Sequence, residues 1–331
     1  MSAQPAVAVP RAEPRIDPVL LVAYIVMAAI LAALAIFAAG TDGFFTMDNY
    51  RAILTQSAYV GIFAVATAII MISGNLFSLS LSVTGAVTAT TALALLPHGA
   101  FVAILGTILL GAAIFAAQGF LIGAFGANAI IVSIAAGGLQ EGIFLWRTHG
   151  ATIVPPPGNT DFAFLTKVID VPVIGKLPLA VFVLFGLVIA LEVVLRRTRF
   201  GRALYLVGEN RVAAHAAGLP TGWIIVGAFA IVGVCVGIAG VELGAFNGSG
   251  SLLVGSTFTY DGIAAAVVGG VAITGGRGAV WQALAGAIFI QAVSDMLLLR
   301  GYTQGSQILA KGIIVVLTVI FMRLYQTRSQ R

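Results

Sequence analysis

Charge is what this chain has least of. Asp, Glu, Lys and Arg make up 9% of its 331 residues, against about 25% in an ordinary soluble domain, and the mean hydropathy is +1.08. A soluble globular protein is excluded. The single cysteine, Cys235, lies in an apolar run; it can form no internal disulfide and reads as a buried structural thiol. The three histidines, His98, His149 and His215, are far apart in the sequence and give no metal site. A Gly-x-x-x-x-Gly-Lys-Ser/Thr phosphate loop, a His-Glu-x-x-His pair and a Cys-x-x-Cys pair are all missing. No cofactor is expected, and any ATP-driven step would need its ATPase on another chain.

What is present instead is a series of apolar runs of about 20 residues, long enough to cross a bilayer as helices. They read as ten spans, approximately 18–39, 54–73, 82–97, 100–123, 128–146, 178–195, 221–246, 260–275, 279–299 and 306–325. The fold class is all-α, a polytopic membrane protein, with the third and eighth spans short enough to be broken or tilted. Its 40 glycines fit a bundle whose helix backbones approach closely. Residues 1–17 form a Pro- and Ala-rich tail expected to be disordered, 18–325 the transmembrane domain, and 326–331 a second tail. With both tails in the cytoplasm, eleven of the 17 basic residues fall inside, five outside, and Lys311 within the last span. That distribution obeys the positive-inside rule, and one span more or fewer in the middle would break it. The net charge of +5 is read as topology and contact with anionic membrane lipid, not as nucleic-acid binding.

Two connecting segments stand out. The outside loop 147–177 contains Pro155, Pro156 and Pro157, which forbid a helix there. It is a passive connector, a cap over the outer mouth, or a contact for an extracellular protein. The inside segment 196–220 holds five of the 17 basic residues between Arg196 and Arg211. A helix-like run starts at Gly201 and Arg202 and is interrupted at Gly208, Glu209 and Asn210. A small-residue helix follows over 211–217, closed by Gly218 and Pro220. Such a helix, lying along the membrane face, suits a groove on a cytoplasmic protein; a solvated basic loop that anchors topology is the plainer alternative. A faint repeat aligns Gly61–Asn75 with Gly262–Gly276, suggesting duplicated helix hairpins, with chance similarity in apolar sequence as the alternative.

Gly201, Arg202, Tyr205, Gly208, Asn210, Ala213, Ala214 and Gly218, with Glu209 among them, follow the pattern GR-x-x-Y-A-I-G-x-N and then A-A-x-x-x-G-I. In this the chain resembles the cytoplasmic coupling segment of bacterial ABC sugar-importer permeases of the ribose, xylose and galactose type, within the branched-chain amino acid and ribose permease family. Leu219 replaces the usual Ile. Residues 261–288 resemble a second motif of that family, and the Lys311-Gly312 pair a third; the resemblance covers about residues 44–322. It implies a non-enzymatic transport subunit of the bacterial cytoplasmic (inner) membrane. Two permease chains, alike or different, would form the pore. Cytoplasmic ABC ATPase subunits would dock on the coupling segments, and an extracytoplasmic solute-binding protein would deliver a monosaccharide or similar small polyol.

The departures from the family concern the solute. Where the family has G-G-I-D-L-S-V-G after the second span, this chain has no acid between Gly74 and Ser82. Asn75, Ser78, Ser80 and Ser82 make an uncharged polar break able to line a cavity. The family's Asn-Asn before the last loop is here Ser294-Asp295. Polar residues inside spans are costly and therefore candidates for function. The substrate-path candidates are Asn75, Ser78, Ser80, Phe246, Asn247, Gln291 and Asp295. The amides of Asn247 and Gln291 suit hydroxyl groups, since they both donate and accept, and Phe246 offers a flat face to a sugar. Glu242 and Lys311 lie deep enough to pair with each other. A nucleoside, amino acid or other small-solute importer of the same architecture stays open, as does an ion-coupled secondary transporter using Glu242 or Asp295.

Overall fold

The computed structural model describes residues 37–155, 162, 165, 167–171 and 175–329. The N-terminal tail and nearly all of the first expected span lie outside them. Among the described residues the helices are α1 (Met47–Ile72), α2 (Leu81–Leu95), α3 (Ala100–Ala124), α4 (Ala129–Thr148), α5 (Leu179–Arg197), α6 (Arg199–Glu209), α7 (Arg211–Ala216), α8 (Thr221–Asn247), α9 (Phe258–Val268), α10 (Val280–Leu299) and α11 (Gln304–Ser329). Eight of them, α1 to α5, α8, α10 and α11, are long and apolar enough to cross a membrane.

Most spans fall within a few residues of expectation, with two clear differences. α1 begins at Met47 and not near 54, because Thr46 caps it, its Oγ1 accepting from the Asn49 N–H at 3.3 Å, with Asp48 in the first turn; both features favour a helix start there. α9 stops at Val268 and not at 275, since Gly269 and Gly270 follow and glycine is a poor helix former. Its 11 residues span about 16 Å, half of a bilayer core of about 30 Å. The chain beyond it is irregular but packed inside protein, with Val271 and Ala272 buried, the condition under which non-helical backbone survives at membrane depth. In the loop after α4 the described residues, Pro155 among them, form no helix, and Pro156 and Pro157 lie outside the described residues. A small antiparallel hairpin that the sequence did not suggest stands there instead, β1 (Val168–Val171) with β2 (Gly175–Pro178), Ile169 opposite Leu177.

α1 is the centre of the bundle. Every residue from Ser57 to Ile72 is buried, enclosed by α5, α8, α9 and α10, as a helix apolar on all sides must be. α3 and α8 form the most extensive helix pair. Gly111 permits that approach: a Cβ on it would lie 3.1 Å from the Gly237 nitrogen. Leu109 of α3, Ile134 of α4, Ile189 of α5 and Ile313 of α11 point outward, an apolar exterior that suits lipid. α2 and α9 both begin inside the bundle, where their free N–H groups meet no water. They cap each other: the Ser82 N–H donates to Thr259 Oγ1 at 2.8 Å, and the Thr259 N–H donates to Ser82 Oγ at 2.7 Å.

Candidate functional site

α6 and α7 lie across one end of the bundle. Thr198 caps α6, accepting from the Gly201 N–H at 3.1 Å. Asn210 caps α7, accepting from the Ala213 N–H at 2.9 Å, which explains why the helical run breaks at that residue. Gly201, Leu204, Val207 and Gly208 form the buried face of α6, and Ala214 is the buried residue of α7. Arg202, Glu209, Asn210, Ala213 and Gly218 face outward, together with Val212 at 81% exposed. Tyr205 is half-buried.

The buried face meets the bundle backbone to backbone. A Cβ on Gly208 would collide with the Ile72 carbonyl oxygen and sit 2.7 Å from the Gly276 nitrogen. Gly74 (φ +79°) and Gly275 (φ +89°) close the other side, a Cβ on Gly275 falling 2.6 Å from Gly74 Cα. These two glycines are the aligned positions of the faint repeat, and they touch. The Gly276 N–H donates to the Ile72 carbonyl at 3.1 Å, Tyr205 Oη donates to the Gly278 carbonyl at 2.8 Å, and Arg277 pairs with Glu209 at 3.1 Å. Glu192 at the end of α5 holds Arg196 and accepts from the Val280 N–H at 3.0 Å. Arg211 donates to the Gly123 carbonyl at 2.8 Å, near the C-terminal end of α3, where the helix dipole favours a cation. The segment is thus tied to α1, α3, α5 and the connection between α9 and α10. Burial, and after it the Glu192 carboxylate, push the Tyr205 phenol above its usual pKa, with Arg196 opposing. Sequence reasoning missed Glu192, Arg211 and Gly275; only the aligned Gly74 and Gly275 left a trace in the sequence.

The substrate-path candidates do not converge. Gln291 and Asp295 line a cavity of about 190 Å³ between α1, α9, α10 and α11, with Gln56, Ser294, Gln304 and Gln307. At its edge Lys311 binds Asp261 at 2.7 Å, the side chains 14% and 7% exposed, and Thr257 Oγ1 donates to the other Asp261 oxygen at 3.3 Å. The expected Glu242–Lys311 pair is therefore corrected: α11 packs on α9, bringing Lys311 to Asp261, whereas Glu242 on α8 opens elsewhere. Phe246 lies with Glu242 in a separate cavity near the hairpin. Ser78 and Ser80 are fully buried in a hydrogen-bonded run, Ser78 Oγ to Ser80 Oγ at 3.0 Å and Ser80 Oγ donating to Gln118 Oε1 at 3.0 Å. Asn75 donates to Ser73 Oγ at 2.9 Å beside the glycine seam. Asn247 is exposed at the end of α8 and donates to the Leu243 carbonyl. Among the described residues no three His, Cys, Asp or Glu side chains gather to hold a metal.

A bundle of apolar crossings, a half-length helix that starts inside it against the start of α2, polar side chains lining cavities between the helices and a polar two-helix segment clamped to one end define a multi-pass membrane transport protein. Residues 49–322 match the family described as branched-chain amino acid transport system/permease component, and the chain belongs to that family. It is 29% identical to the ribose import permease protein of Escherichia coli strain K12 over 88% of this chain and 91% of that one. It is 30% identical to the probable ABC transporter permease protein YphD of the same strain (89% and 88% covered) and 27% identical to its D-allose transport system permease protein (85% of each). No solved structure matches. The chain is a permease subunit of the bacterial inner membrane.

Proposed function

We propose that this chain is the membrane-spanning subunit of an ABC importer for a monosaccharide or similar small polyol. ATP is hydrolysed on a separate cytoplasmic ATPase docked on α6 and α7, a second permease chain completes the pore, and an extracytoplasmic binding protein delivers the solute. One observation carries the reading: the 199–218 segment is clamped to four parts of the bundle on its inner side and presents Arg202, Val212, Ala213 and Gly218 outward. A partner pushing on that outer face moves the ends of α1 and α3 and the start of α10, because backbone packed on backbone has no side chain to give way. Around the 190 Å³ cavity the amides and hydroxyl of Gln56, Gln291, Ser294, Gln304 and Gln307 stand with Asp295 and the mutually paired Asp261 and Lys311, a set rich in the donors and acceptors that a hydroxylated solute needs. The ribose- and allose-named relatives support the same solute class.

The test is co-expression with candidate cytoplasmic ABC ATPase subunits from the same genome, followed by uptake of labelled sugars into proteoliposomes. Arg202→Glu and Val212→Asp are expected to abolish ATPase co-purification and uptake together. Uptake that persists without any ATPase, or that ignores both substitutions, would sink the proposal.

A further inference from the structure

The second cavity is not absorbed by the coupling segment or by the Asp261–Lys311 cavity. It measures about 410 Å³ and is lined by Thr55 and Tyr59 of α1, Glu242 and Phe246 of α8, and Val168 and Lys176 of the hairpin. That volume lies in the range of small-molecule sites. Glu242 is only 5% exposed, and among the described residues neither of its carboxylate oxygens has a hydrogen-bond partner. A buried carboxyl in that condition is costly unless it gains a hydrogen-bond partner or holds its proton, and a ligand hydroxyl in the cavity supplies such a partner. Lys176 lines the same cavity yet forms no ion pair with Glu242. The Tyr59 and Phe246 rings are 4.9 Å apart, tilted at 41°, and give the cavity an apolar wall.

We infer that this cavity is an outer receiving site for a neutral polyhydroxylated ring, held by Glu242 and Lys176 on its hydroxyls and by Phe246 and Tyr59 on its carbon face. The pairing of the two groups narrows the class: a hydroxyl donates to the Glu242 carboxyl and accepts a hydrogen bond from the Lys176 ammonium at once, whereas a ligand carrying a net charge satisfies one of the two groups and opposes the other. Thr55 and Tyr59 add hydroxyls that can act either way. The hairpin contributes one of the two charged groups, so the site is complete only with β2 in place over α1 and α8. The inference rests on the importer reading, and adds to it a second station, at the same level of α1 as the Gln291–Asp295 cavity.

The experiment uses the full chain in nanodiscs with Ala245→Cys, a cavity-lining position. The native Cys235 is wholly buried and adds little thiol background. Labelling by a maleimide is followed with D-ribose, D-allose or myo-inositol present, and with glucosamine and gluconate as charged controls. At least one neutral polyol is expected to slow labelling and the charged analogues to do so less well. In Glu242→Gln the concentration giving half-protection is expected to rise about tenfold or more, the weight of a hydrogen bond to a charged group. Lys176→Met is expected to weaken polyol protection while improving that by glucosamine. Absence of protection by every neutral polyol overturns the inference, as does protection unaltered in Glu242→Gln. Uptake separates the two readings. ATP-driven uptake without protection leaves the importer standing and removes the site; protection without ATP-driven uptake does the reverse.

Discussion

Gly208→Ala is the sharpest perturbation of the seam between the coupling segment and the bundle. The added methyl has to occupy the space of the Ile72 carbonyl oxygen, and it also lies 2.7 Å from the Gly276 nitrogen and 3.0 Å from the Ile72 carbonyl carbon. All three are backbone atoms, so no rotamer change relieves the clash. A carbon–oxygen contact settles at about 3.3–3.6 Å, which requires α6 and the end of α1 to separate. That separation stretches the Gly276–Ile72 hydrogen bond of 3.1 Å. Overpacking costs about 1–3 kcal/mol and loss of one internal hydrogen bond about 0.5–1.5 kcal/mol, for a destabilisation of roughly 2–4 kcal/mol. Gly186→Ala in α5 is the control, since no described residue lies within 4 Å of its added Cβ. Thermal unfolding of the purified chain in detergent reads stability, and proteoliposome uptake with the ATPase reads function. The expected result is a lowered midpoint and lost uptake in Gly208→Ala, with Gly186→Ala close to wild type. A Gly208→Ala protein that unfolds at the wild-type midpoint and transports at the wild-type rate would refute the close-packed seam.

Two further outcomes follow from the same geometry. Removing one partner of the Asp261–Lys311 pair leaves a buried charge, so Asp261→Asn and Lys311→Met are each expected to destabilise the chain by about 3–5 kcal/mol. The double variant should recover much of that loss in the same melt, and a stable Lys311→Met single variant would contradict the pairing. Tyr205→Phe loses the 2.8 Å bond to Gly278, with an expected cost of about 0.5–1.5 kcal/mol. Because the Tyr205 pKa is raised in the folded chain, its contribution is fully present below the ordinary tyrosine value of 10.0 and is lost as pH rises through the higher folded value. Melts from pH 8 to pH 11 should therefore show wild type and Tyr205→Phe converging at the alkaline end, and parallel curves would exclude that linkage.

Hydropathy made the crossings legible because it is a local property: a run such as 100–123 needs no knowledge of its neighbours to be read as a span. The break at Asn210 and the stop at Gly218 were legible for the same reason. What escaped depends on partners far apart in the chain. Lys311 is equally able to pair with Glu242 or Asp261 on sequence grounds, and only the packing of α11 against α9 chooses Asp261. Ser78 and Ser80 read as a cavity lining, yet they are closed off by Gln118, 38 residues beyond Ser80. The early end of α9 was hidden by apolar residues that continue through Val271 and Ala272, since hydropathy reports burial and not helicity. The candidate solute residues were dispersed for a related reason: each was chosen for the cost of its own polarity, and that cost says nothing about which cavity it faces.

α9 connects the two ends of the proposed mechanism. Its first turn carries Asp261, bound to Lys311 of α11 at the polar cavity, and its N-terminus is fastened to α2 through Thr259 and Ser82. Its C-terminal end runs within ten residues into Gly275, Gly276 and Gly278, which hold Gly208, the Ile72 carbonyl and the Tyr205 hydroxyl. A half-length helix is suited to this position because it is anchored at both ends and not along a full crossing. In the importer reading, a displacement of α6 by a docked ATPase is passed to the cavity through this one short element, while the long α3–α8 pair, in contact along its length, stays as the frame against which it moves. Lengthening the connection after α9 by two residues between Thr274 and Gly275 should then preserve folding and ATPase docking but separate ATP hydrolysis from uptake. Retained coupling in that insertion variant would show that the push travels through α1 or α3 instead.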